Sequence, residues 1–491
     1  MSVLPVSRSL DVRLMPDPGR VITKAFLPGE QVPSDGRTRL EAIVGRILGM
    51  DEALVGETLR EVSEEFVGRH RDFDAVLRRH LEIVADRVTL PDHLSPERQL
   101  LIGAYCTHEY SIEAAALGNP SMVVAPDQSN LGAGETRFIM SLRAVGEGHI
   151  SSIEFRCGVI DQDLGISLDA TTRYAETGRR EGADYDKGFF VTKMSELGAL
   201  NDIAHCVLAS LGSRFTMSEL ETALGGLDAG GADCIVSTET SHILHWLASS
   251  NYYIDFRQGS DISERVIFPA GPTESHGMED VRLVRFVHDN GSVVYYGTYT
   301  AFDGHQILPQ LLETTDFLRF RIATLSGPRA RNKGIALFPR MLDGQFVALG
   351  RHDNVNNFVM RSADVRVWPE AQMIQEPKRP WEFVQLGNCG SPIETDEGWL
   401  VITHGVGPLR RYSLGAMLLD LDDPCRVIGH LKEPLLSPQA DEREGYVPNV
   451  VYSCGSMVVG DHLVLPYGFA DVGAAIATVP LDQLLSRLTG T

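Results

Sequence analysis

Residues 295–300 read YYGTYT, and a related phrase returns at 347–352 (VALGRH), 401–406 (VITHGV) and 464–469 (VLPYGF). In each, an apolar or β-branched run closes on an aromatic residue or a histidine beside glycine or a polar residue. Blades repeated around an axis produce such recurrence, with each blade offering an inner-strand end to a common centre. The surrounding texture agrees. From Asn119 onward, short runs such as TRFIMSLRAV, ISSIEFRCGVI, GWLVITHGV and HLVLPYGFA are bounded by Gly, Asp and Pro. Turn signals roughly every 8–12 residues predict an all-β domain. A two-sheet sandwich satisfies this pattern as well as a propeller does.

Upstream the period changes. From Thr38 to about residue 117, Leu, Val and Ile recur at three- and four-residue spacing with charges between them, which predicts amphipathic helices. Ser95-Pro96 supplies an N-cap followed by proline at the first helical position. A second helical stretch, about 187–228, interrupts the strands, and Thr216-Met217-Ser218-Glu219 within it resembles a capping box. The expected organisation is a helical region over 1–117, a β-domain over 118–485 carrying that insertion, and a tail over 486–491.

The 491 residues carry 44 Lys+Arg against 66 Asp+Glu, a formal charge of −22, and are 43% hydrophobic. The chain can bury a large core, so disorder is excluded. The charge argues against nucleic acid or an anionic membrane as partner. No apolar run approaches the ~20 residues that span a bilayer, and the start lacks a signal-peptide pattern. The 7 cysteines are dispersed, without a CxxC pair. A cytoplasmic enzyme with reduced thiols is the expectation. No GxGxxG, P-loop or HExxH is present, so neither a nucleotide nor a metal is expected.

The chemically suggestive stretch is MEDVR, 278–282. Asp280 and Arg282 would share a strand face, an arrangement that can orient a carboxyl group for proton transfer. Taken alone, such a pattern is more often a turn Asp capping its own backbone.

It does not stand alone. MEDVR, YYGTYTAFDG, NKGIALFPRMLDGQFVALGRHD, GNCGSPIETDEGWLVITHGVG, YSLGAMLLDLDDP, YVPNVVYSCG and LVLPYGFAD follow one another in an order that resembles glycoside hydrolase family 130. The resemblance covers about residues 118–485. It implies a five-bladed β-propeller, with the helical region and insertion lying outside the common core. It also implies inverting phosphorolysis of β-mannosides to mannose 1-phosphate, a glycosyl-transferring reaction with inorganic phosphate as co-substrate and no cofactor. An inverting β-mannosidase and a non-catalytic carbohydrate-binding propeller are the alternatives.

Residue by residue, the resemblance implies that Asp280 is the general acid, acting through the 3-hydroxyl of the bound mannosyl unit. Lys333 and His404 match phosphate ligands. The phosphate Arg of the family falls here on Gln310, with Arg331, Arg329 or Arg321 as substitutes for its charge. Asn119, Arg143 and Asp471 match sugar ligands. Tyr299 and Asp303 are candidate walls of the sugar subsites, and Arg351 resembles a position near the site. Hydrolysis would require a second carboxylate about 6.5–9.5 Å from the acid, for which Glu382 and Glu394 are the candidates. The linkage and the oligomeric state stay open.

Overall fold

The computed structural model describes residues 4–28, 38–228 and 234–490. The chain divides into two compact units, one formed by Asp17–Ala114 with Thr172–Glu176, the other by the remainder.

The smaller unit holds the helices Arg39–Leu48, Glu52–Phe66, Phe73–Ala85 and Pro96–Tyr105, with the paired strands Val21–Ala25 and Thr107–Ser111. Thr38 and Glu41 form a reciprocal capping box, and Asp51 and Ser95 cap the second and fourth helices. Leu40, Val44, Val55, Leu77, Val84 and Leu101 fill the core between them. At Gly103 two helices nearly touch: a Cβ would lie 2.1 Å from the Leu77 carbonyl oxygen, so no larger residue fits.

The larger unit is mostly antiparallel sheet. In chain order, successive groups of strands begin at Ala116–Val124, Gly277–Val287, Ala336–Leu337, Gln385–Asn388 and Val451–Tyr452, the first two within one 12-stranded sheet and the others in sheets of four, five and five strands. The first two groups are joined into one sheet through a parallel pairing of Gly277 with Ser151. The last is completed from the other end of the chain, where Ser7–Leu14 pairs with Gly473–Pro480. Ser7–Leu14 is therefore strand, within the stretch expected to be helical. Polar and apolar residues alternate in its second half, LDVRL, and a free sheet edge receives it. Among the described residues no sheet closes on itself.

Helices Lys187–Glu196, Asp202–Ser210, Met217–Asp228 and Cys234–Ser249 share a core of Phe190, Met194, Val207, Leu220, Leu244 and Leu247. The helical stretch runs past residue 228 because SHILHWL, short on turn signals, places Leu244 and Leu247 on one buried face.

Candidate functional site

Several polar side chains converge because the backbone is bent where they sit. The pairing of Gly277–Val287 with its neighbour slips between Glu279 and Arg282, and that of Ala116–Val124 slips between Gly118 and Ser121. Within those bulges Asp280 (φ 58°) and Asn119 (φ 49°) are left-handed, as is Asp471 (φ 49°) in the turn before Gly473–Pro480. Asn and Asp tolerate this conformation better than other non-glycine residues. A bulge re-aims a side chain that plain alternation would send elsewhere. Such strain gathers at sites that bind or react.

The results are close contacts. Asn119 Nδ2 donates to Asp280 Oδ1 at 2.6 Å. Arg143 pairs with Glu279 Oε1 at 2.8 Å and approaches Asp280 Oδ1 at 3.8 Å. Lys333 Nζ donates to the other oxygen, Glu279 Oε2. Arg282 donates to the Asp280 carbonyl oxygen at 3.0 Å and to the Tyr452 hydroxyl at 2.8 Å. Burial pushes the Asp280 carboxyl up, but Arg143, Arg282, Lys333 and the Asn119 amide outweigh it and hold the group below the usual carboxylate range. Asp471 goes the other way. Burial raises it, the Asp280 and Glu279 charges add to that, and Arg143 and Arg410 only partly compensate. The arrangement separates two acidic groups by their readiness to hold a proton.

A second, basic arm adjoins this cluster. Arg351 is 7% exposed, and its Nη1 lies 3.1 Å from His404 Nε2. His404 is held far below the ordinary histidine range by burial and by Arg351 and Arg282, so it is neutral. Because Arg351 donates to Nε2, the ring proton belongs on Nδ1. With Nε2 taken up by Arg351, that nitrogen of His404 has no proton to donate. No carboxylate pairs with Arg351 among the described residues. Asn388 is 1% exposed, and neither side-chain polar atom has a partner, nor does Arg351 Nε. Gly334 (φ 95°) borders both: a Cβ there would lie 3.7 Å from Asn388 Oδ1 and 3.7 Å from Arg351 Cβ.

The structure therefore brings Asn119 and Arg143 against Asp280, links Lys333 to Arg143 through Glu279, sets the Asp471 charge near them, and joins Arg351 to His404. Other candidates lie apart. Gln310 is fully buried opposite Tyr299 and Thr324, its amide atoms unpartnered. Leu308 and Leu312, on the same strand face, belong to the apolar core. Tyr299 is 2% exposed in that core and donates to Glu274 at 2.7 Å. Asp303 caps a turn, accepting from the backbone of His305 and Gln306 at 2.8 and 2.6 Å. Arg331 is exposed, and Arg329 faces His352 at 3.2 Å. Glu382 caps the backbone of Lys378 and Arg379 and pairs with the Arg379 guanidinium at 3.0 Å. Glu394 forms a half-exposed fork with Arg340, at 2.9 and 2.6 Å. Among the described residues no hydrogen bond or ion pair links either glutamate to the cluster. Asn388, Glu279 and Tyr452 had no role assigned from sequence. All three lie inside the quoted motifs, and only their partners mark them.

Comparison with known proteins is decisive about kinship. The family model described as beta-1,4-mannooligosaccharide phosphorylase, glycoside hydrolase family 130, matches residues 240–489. The chain belongs to that family. It is 36% identical over 219 residues to the 1,2-beta-oligomannan phosphorylase of Thermoanaerobacter sp. (strain X514), covering 43% of this chain and 71% of that protein. A beta-1,2-mannobiose phosphorylase of the same organism is 35% identical over 227 residues, covering 43% and 70%. Among solved structures, the beta-1,2-mannobiose phosphorylase from Listeria innocua aligns with a TM-score of 0.45 at 21% identity, over 77% of this chain and 93% of that one. The family 130 match takes in Asp280, Lys333, Arg351, Asn388, His404 and Asp471, whereas Asn119 and Arg143 reach the cluster from outside the matched segment.

Proposed function

We propose that this chain is a cytoplasmic enzyme that cleaves β-mannosides by inverting phosphorolysis, releasing mannose 1-phosphate, on a five-bladed propeller. The successive groups of mostly antiparallel strands support the propeller reading, each contributing to one polar centre. The free thiols of the described cysteines agree with a reducing compartment. The relatives' names support the reaction.

The observation that carries the reading is Arg351. A buried guanidinium whose hydrogen-bond partner is a neutral histidine calls for an anion. Asn388 offers unpartnered donors beside it, and Lys333 immediately precedes the bordering Gly334. Phosphate suits that set, because charge-assisted hydrogen bonds to its oxygens are the strong ones. Asn119, Arg143 and Asp471 would hold the mannosyl hydroxyls around Asp280. In the reaction a phosphate oxygen bonds to the anomeric carbon while the bond to the leaving sugar breaks. The proton from Asp280 reaches the departing oxygen through the 3-hydroxyl.

An acid must first hold a proton, and in the empty site Asp280 is kept ionised by cations. Phosphate would engage Lys333, one of those cations, and add negative charge nearby, so its binding raises the proton affinity of Asp280 when the acid is needed. Hydrolysis would need a second carboxylate to activate water. Glu382 and Glu394 are engaged elsewhere, and Glu279 is held between two cations beside the acid.

The test is a screen of β-1,2- and β-1,4-mannooligosaccharides with and without phosphate. Mannose 1-phosphate formed only with phosphate is expected; free mannose at full rate without phosphate refutes the reading. Arg351→Ala should raise KM for phosphate about 10- to 100-fold, with a much smaller change in KM for the mannoside.

A further inference from the structure

Glu279 precedes the proposed acid and has been given no task. Each of its oxygens holds a different cation, Oε1 taking Arg143 at 2.8 Å and Oε2 taking Lys333. Its side chain is 12% exposed, against 24% for Arg143 and 33% for Lys333, so Lys333 is the member of the trio most open to solvent. On the phosphorolytic reading Lys333 has two anions to serve.

We propose that Glu279 is a built-in competitor for the anion: it holds Lys333 in the empty site and yields it when phosphate enters, thereby setting how tightly phosphate binds. This rests on the phosphorolytic reading above. The exchange is feasible because it strands no charge. When Lys333 leaves, Glu279 keeps Arg143, whereas a carboxylate left alone in this setting would resist the exchange. The destination is prepared. Among the described residues Arg351 has no carboxylate partner and the Asn388 amide atoms are unpartnered, and both border the residue following Lys333. A phosphate dianion there attracts an ammonium more strongly than a single carboxylate charge does at equal distance. Glu279 is accordingly a positioning residue, acting on phosphate through Lys333.

A merely structural ion pair would, when cut, cost stability or kcat; a competitor, when removed, improves phosphate binding. Steady-state kinetics with phosphate varied at saturating β-mannobiose separate these outcomes. In Glu279→Gln, KM for phosphate should fall about threefold to tenfold whatever happens to kcat. The same substitution in a Lys333→Ala background should leave KM for phosphate unmoved. An unchanged or higher KM in folded Glu279→Gln, while the wild type remains phosphate-dependent, overturns the proposal and leaves the phosphorolytic reading standing. Wild-type turnover indifferent to phosphate overturns both. A crystal structure of the wild-type chain with phosphate bound tests the exchange without any variant. Lys333 Nζ on the phosphate and beyond hydrogen-bond reach of Glu279 is expected. Lys333 still on Glu279 beside a seated phosphate overturns the proposal.

Discussion

Glu274 and Asp280 lie on one short stretch of chain, both removed from water, and they are stabilised in opposite ways. Glu274 is fully buried and surrounded by neutral donors: the Tyr252 hydroxyl at 2.9 and 3.0 Å, the Tyr299 hydroxyl at 2.7 Å, and the backbone of Ala270 and Gly271 at 3.3 and 3.4 Å. No cation pairs with it among the described residues. Asp280 keeps 13% of its side chain exposed, accepts from Asn119, and lies within the field of Arg143, Arg282 and Lys333. Neutral donors that saturate a carboxylate make a structural knot, with nothing left to offer a ligand. Cations and unfilled hydrogen-bond positions make a place where a charged substrate changes the balance. Glu274 is thus held as a structural carboxylate, and the setting of Asp280 is the one that suits the proposed chemistry.

Asp280→Asn should produce the largest effect, a loss of about 10²- to 10⁴-fold in kcat, with a smaller shift in thermal midpoint than Glu274→Ala. Calorimetry beside the mannose 1-phosphate assay checks both halves; comparable losses of stability at the two positions would break the contrast. Glu274→Ala leaves buried tyrosine hydroxyls without their acceptor and should cost about 2–4 kcal/mol of stability. The folded fraction should retain kcat within a few-fold, measured by denaturant unfolding and by activity per folded molecule.

The basic arm gives a pH test. His404 is neutral in the fold, yet unfolded it takes up a proton near pH 6.5. Below that pH the unfolded chain binds more protons, so stability falls as pH drops, by up to about 1.4 kcal/mol per pH unit for each such histidine. The thermal midpoint should decline from pH 7 to pH 5, and less steeply in His404→Asn. An identical slope in the variant would remove His404 from the account. The smallest effect is reserved for Tyr299→Phe. It deletes a hydrogen bond to Glu274 and should cost about 1 kcal/mol while leaving KM for the mannoside unchanged. A raised KM would instead return Tyr299 to the wall of a sugar subsite.

Much of this molecule was legible in its sequence because the relevant physics is local. Alternation with period two predicts strands, spacing of three and four predicts helices, and Ser95 does begin a helix as its cap. The ordered motifs of family 130 also pointed to Asp280, Lys333, Asn119, Arg143, Asp471 and His404 as one set. What the sequence left undecided is where side chains aim and what they meet. YYGTYT reads alike whether Tyr299 faces a sugar or a buried Glu274, and Gln310 occupies a matched position yet is enclosed among Leu308, Leu312 and Tyr299. Ser7–Leu14 opens with three polar residues and so declares itself a strand only weakly, and the edge offered by Gly473–Pro480 makes it one. Arg351 reads only as a residue near the site until packing places neutral His404 at its head, with no carboxylate paired to it among the described residues. Pairing between residues far apart in the chain depends on distances of a few ångströms. Bulges and sheet packing set those distances, and a pattern of residue types along the chain does not record them.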